Sequence, residues 1–148
     1  MLPFHACLQP LPAQCSPGGP LTLEGTIVRP LLIEGMRAPP TWLCTFDEVL
    51  DALAANSRLY TEPDGSFVWT GNSGTSRWTL SGNLYDQGDR LAYAELSGSC
   101  PAEEFDALLR CFGWPETALV FQLPRLGVYL AEADFRRVYL VAAEPPGI

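Results

Sequence analysis

At 148 residues the chain is long enough to bury one core and too short to expect two, and its four Trp, five Tyr and seven Phe exclude an intrinsically disordered chain. Nine basic side chains against seventeen acidic ones leave a formal charge of −8, which repels a phosphate backbone and removes nucleic acid from the expected partners. All nine basic residues are arginine, so a phosphate-loop lysine, a Schiff-base lysine and a lysine general base are all missing.

Five prolines (Pro3, Pro10, Pro12, Pro17, Pro20) and the pair Gly18–Gly19 mark residues 1–20 as an extended or loosely packed leader, ahead of one α+β domain over 21–148. The leader lacks the basic start and unbroken apolar stretch of an export signal. It holds His5, the one histidine of the chain, so a Ser–His–acid triad or a two-histidine zinc site would have to recruit that residue. His5, Cys7 and Cys15 are irregularly spaced, and neither a metal nor a cofactor is expected.

From Leu21 to Val28 the pattern "LTLEGTIV" reads as a strand with a bulge at Gly25, which "LLIEG" after Pro30 continues. Pro39 and Pro40 make "MRAPPTWLC" a loop. Thr45 and Glu48 then match a capping box, and Phe46, Val49, Leu50 and Leu53 share one face, so a helix is expected over about 45–56 with Asn56 as its stop. Pro63, Asp64 and Gly65 turn a hairpin between two aromatic-rich runs. "NSGTS" reads as a flexible connector, and the phosphate cradle suggested by "GNSGTS" fails because no lysine follows.

The "DQGD" at 86–89 turns a second hairpin. Treated as a four-residue loop, it sets Leu84 opposite Leu91 and Leu80 opposite Glu95, which points Glu95 into apolar company. A carboxyl so placed is a candidate general acid or the partner of an arginine such as Arg77 or Arg136, whereas a one-residue slip or a bulge turns it to water. Asp86 and Asp89 lack the remaining ligands of a calcium loop and are turn residues.

"SGSCPAEEFDALLRCFG" then predicts a helix near 100–112, with Phe105, Leu108, Leu109 and Phe112 on one face and Gly113 at its end. If Pro101 opens that helix, Cys100 is its N-cap and a candidate nucleophile, opposed by the charges of Glu103 and Glu104 in the first turn. "ALVFQL" at 118–123 reads as a strand covered on both sides, and "GVYLAE" and "RRVYLV" as further strands. "FDEVLDAL" and "FDALLRCF" share a phrase 59 residues apart, compatible with a duplicated helix–strand–strand unit.

These elements add up to an α+β fold, an antiparallel sheet of about six to eight strands packed on two helices. No apolar run approaches the ~20 residues of a membrane span. The five cysteines form no CxxC pair and read as reduced thiols of a cytoplasmic protein. With so thin a catalytic inventory, the chain is read as an acidic protein-interaction module, regulatory or immunity-like, whose partner is another protein. Trp69, Trp78, Tyr85, Tyr93 and Trp114 are the candidate ligand or partner surface, with core packing as the ordinary role of such residues. The competing reading is a small-ligand binder or an enzyme that uses Cys100 or Glu95.

Overall fold

The structure, a computed structural model, describes residues 1–33 and 42–140. In chain order its elements are β1 (Phe4–Pro10), β2 (Cys15–Pro17), β3 (Leu21–Leu23), β4 (Thr26–Val28), β5 (Leu31–Ile33), α1 (Phe46–Ala54), β6 (Leu59–Thr61), β7 (Ser66–Ser73), β8 (Ser76–Gln87), β9 (Arg90–Gly98), α2 (Ala102–Cys111), β10 (Leu119–Leu123), β11 (Val128–Ala131) and α3 (Glu132–Tyr139). Nine of these strands form one sheet in the order β2-β5-β11-β10-β1-β9-β8-β7-β6, with neighbours antiparallel, and β3 and β4 make a separate hairpin. This is the α+β architecture expected, with nine strands in the sheet rather than six to eight and a third helix.

Strand β1 lies in the stretch that the sequence reads as an extended or loosely packed leader ahead of the domain; the stretch is extended, but it belongs to the sheet. Phe4, Ala6 and Leu8 are buried while His5, Cys7 and Gln9 are half-buried, the period-2 alternation of a strand with one face on a core. The strand is flanked by β9 and β10. Its prolines do not prevent this, because Pro3 precedes the strand, Pro10 ends it and Pro17 ends β2, positions where a missing N–H breaks no interior ladder.

The capping box at Thr45 is present. The Thr45 side chain accepts from the Glu48 backbone N–H at 3.1 Å, and the Glu48 carboxylate accepts from the Thr45 N–H at 3.0 Å. Asn56 caps the other end by donating Nδ2–H to the Ala52 and Leu53 carbonyls. Helix α2 ends at Gly113, which takes a left-handed φ of 94°. Each of α1 and α2 is followed by an antiparallel strand pair, β6–β7 and β10–β11.

Three local expectations are corrected. "LTLEGTIV" is a hairpin rather than one bulged strand, because Glu24 and Gly25 both take positive φ and reverse the chain. "NSGTS" is the tight end of the β7–β8 hairpin, with Ser73 opposite Ser76. Residues 136–139 of "RRVYLV" belong to α3: Phe135, Val138 and Tyr139 fall on one buried stripe, with Glu132 and Asp134 in the first turn and Arg136 and Arg137 in the last, as the helix dipole favours. The short stripe was masked by β-branched and aromatic letters, and Val141 lies outside the described residues. Of the proline loop at 36–44, only 42–44 is described; there Trp42 is buried and donates Nε1–H to the Ala92 carbonyl at 3.0 Å.

The three helices among the described residues turn their apolar stripes into one core on the sheet. Val49 and Leu53 of α1, Phe105, Leu108 and Leu109 of α2, and Phe135 and Val138 of α3 join one cluster with Phe4, Ala6, Leu8, Leu80, Leu84 and Leu96. Each of the Val, Leu and Phe side chains among them contributes ~1.5–3 kcal/mol by leaving water. Phe135 stacks on Phe121 at 4.1 Å and on Phe105 at 5.7 Å, which locks α2 and α3 onto β10. Towards the other edge the rings lie over glycines: a Cβ at Gly82 would collide with the ring of Phe67, its cross-strand partner. Strand β10 is buried on both sides, as its uninterrupted apolar run predicts, since Val120 is as inaccessible as Phe121.

Candidate functional site

The β8–β9 hairpin decides where Glu95 points. Its loop is two residues, Gly88 and Asp89, because Gln87 pairs with Arg90. That shortening slides the expected pairing by two positions, which keeps every side chain on its face. A bulge then intervenes: Tyr85 pairs with Tyr93 but Asp86 pairs with Leu91, so Ala92 is the extra residue. One further position reverses the faces. Glu95 therefore stands opposite Asn83 rather than Leu80, on the side of the sheet away from the helices. It meets neither Arg77 nor Arg136; its Oε2 is 3.1 Å from His5 Nε2, with the two side chains 40% and 36% exposed.

Around that pair the outward positions of neighbouring strands form rows. Asn83, Glu95, Cys7, Gln122 and Tyr129 are successive cross-strand partners, and Ser97 stands opposite His5. Tyr85 and Tyr93 stack at 4.6 Å with their planes 19° apart. Partial burial raises the Cys7 thiol above its ordinary pKa, and the Glu95 charge raises it further. Burial also raises the Tyr93 phenol, followed by the influence of Tyr85, Cys7 and Glu95. The buried side chains of the described helices lie in the cluster on the opposite face, with Phe4, Ala6 and Leu8.

Cys100 is not where the sequence puts it. Pro101, not Cys100, is the N-cap of α2, with no side-chain cap bond, and Cys100 is fully buried in the core cluster. Burial pushes its pKa up to about 12; Glu104 adds to the rise and Arg136 opposes it. A thiol so held stays protonated and out of reach of a substrate.

The five aromatic candidates fall in three places. Trp69 and Trp78 are buried against each other in a T-shaped pair at 5.6 Å, on the helix side. Trp114 is half-buried, donates Nε1–H to Glu132 at 2.7 Å and lies under the guanidinium of Arg136, 5.2 Å from its ring centre. Arg136 also pairs with Asp106 at 2.7 Å and Glu132 at 2.9 Å, so this cluster ties α2 to α3. Only Tyr85 and Tyr93 share the outward face with Glu95.

Sequence reasoning missed a cleft where the ends of β1 and β9 meet the β3–β4 and β10–β11 turns. It holds about 490 Å³, and His5, Glu24, Ser97, Arg125, Leu126 and Tyr139 are among its walls. These residues come from five separate segments, and no local pattern connects them. Glu95 orients the imidazole at the cleft edge, yet no hydrogen bond joins His5 to Ser97 among the described residues, so a base and its orienting acid are present without an engaged nucleophile. No three His, Cys, Asp or Glu side chains converge as a metal site among the described residues. No helix there is long and apolar enough to cross a membrane. Comparison with protein-family models, curated proteins and solved structures finds no match to this chain.

Proposed function

We propose that the chain is an acidic protein-interaction module that binds a basic partner protein through the sheet face opposite its helices. The observation that carries this reading is the outward Tyr85–Tyr93 stack beside Cys7 and the His5–Glu95 pair on a face no described helix covers. Tyrosine gives a partner large contact area at low entropic cost. Asp86 and Asp89 at the adjoining hairpin tip are exposed beside Arg90, and the net charge of −8 favours a basic partner over an acidic one. All five cysteines are free thiols, which supports a reducing, cytoplasmic setting.

The enzyme alternative is weaker, since Cys100 is sealed in the core and the His5–Glu95 pair is open to water with no nucleophile hydrogen-bonded to it among the described residues. The test compares affinity capture from the native host by the wild-type chain and by a Tyr85→Ser, Tyr93→Ser variant. The reading predicts a basic protein retained by the first, lost by the second and released at ~1 M salt, where the screening length falls to ~3 Å. Equal capture by both chains, or none by the wild type, contradicts it.

A further inference from the structure

The cleft at the end of β1 presents two opposite charges to one space. Arg125, from the β10–β11 turn, and Glu24, from the β3–β4 turn, both line it and both are exposed. Among the described residues neither takes part in an ion pair, whereas Arg136 and Arg137 are both paired. Phe4, Leu123 and Leu126 supply an apolar wall, and the His5 ring is held in place by Glu95 behind it. Glu24 acts on the cleft floor: its charge, after burial, helps raise the Tyr139 phenol above its ordinary pKa. A volume of about 490 Å³ suits a small molecule.

A simple anion in this cleft is repelled by Glu24, and a simple cation by Arg125. An uncharged apolar ligand partly desolvates both charges without replacing their water. A molecule carrying both charges meets both side chains. We propose that the cleft binds a zwitterionic amino acid or short peptide with an apolar side chain, its carboxylate on Arg125, its ammonium on Glu24 and its side chain against Leu123 and Leu126. The proposal does not rest on the partner-face reading: Arg125 and Glu24 lie in turns outside the tyrosine rows, and His5 and Ser97 are common to both.

The test is a titration of the full chain followed through the backbone amide resonances of His5, Ser97 and Leu126. The probes are L-leucine and the dipeptide leucyl-leucine, with 4-methylpentanoate and leucinamide as controls that carry only the negative or only the positive charge. The expected result is saturable shifts at those amides, with at least one zwitterion binding ~10-fold or more tightly than either control, a margin of ~1.4 kcal/mol. Arg125→Gln removes the advantage over leucinamide, and Glu24→Gln removes the advantage over 4-methylpentanoate. Both side chains are exposed, so the variants keep the fold, which the unchanged remainder of the spectrum checks. Absence of saturation by both zwitterions, a smaller margin over either control, or survival of the matching advantage in either variant overturns the proposal.

Discussion

His5 and Glu95 face each other diagonally across the β1–β9 pair, Nε2 to Oε2 at 3.1 Å, on the side of the sheet opposite the core residues Phe4, Ala6 and Leu8. Because both side chains are more than a third exposed, solvent screening limits the contribution of this contact to ~0–1 kcal/mol. Glu95→Gln is therefore expected to change the urea unfolding free energy by no more than ~1 kcal/mol. A loss above ~3 kcal/mol is what a carboxyl buried among apolar groups and hydrogen-bonded there would give, and it contradicts the outward register.

Cys100 carries a prediction with a pH sign. Its thiol ordinarily titrates at 9.0, and burial in the folded chain moves it to about 12. The unfolded chain thus releases this proton first, so the stability the buried thiol contributes is intact below pH 9.0 and is lost as pH rises toward about 12. Cys100→Ala is expected to keep a larger fraction of its neutral-pH stability at pH 11 than the wild type does. Equal alkaline loss in both chains contradicts the assignment, as does iodoacetamide labelling of native Cys100 at the rate of an exposed thiol.

Gly82 has no room for a methyl group under the Phe67 ring. Gly82→Ala forces that ring or the β7–β8 pair to shift, at an expected cost of ~1–3 kcal/mol in denaturant unfolding. Pairing it with Phe67→Leu is expected to recover part of the loss relative to the sum of the single variants. Strict additivity counts against the ring-over-glycine contact.

Strand β1 is expected to be indispensable. Deleting residues 1–10 removes Phe4, Ala6 and Leu8 from the core and splits the sheet between β9 and β10, so the shortened chain should lose cooperative thermal unfolding. A truncated chain with the native near-ultraviolet circular dichroism contradicts the topology.

That strand also shows where sequence reading reaches its limit. The capping box of α1, the glycine end of α2 and the doubly buried run of β10 are local signals, written in neighbouring residues, and each is found in place. In residues 4–10 the alternation is equally regular, but the weight of five prolines hid it, since a proline count does not say which N–H groups the ladder needs. Helix α3 is short enough that its stripe of Phe135, Val138 and Tyr139 reads equally well as a strand. The direction of Glu95 hung on one extra residue, Ala92, which no composition rule reveals. The cleft joins Glu24, Arg125 and Tyr139 only through the tertiary fold, so its existence lay beyond any motif.

The central claim, that the sheet face opposite the described helices is the one offered to a partner, is tested most directly by hydroxyl-radical footprinting of the chain, purified and in the native host lysate. The account predicts that Tyr85, Tyr93 and Tyr129 lose reactivity in the lysate and regain it at high salt, while exposed residues on the outer surfaces of α1 and α2 keep theirs. Unchanged tyrosine reactivity together with protection of the helical side contradicts it.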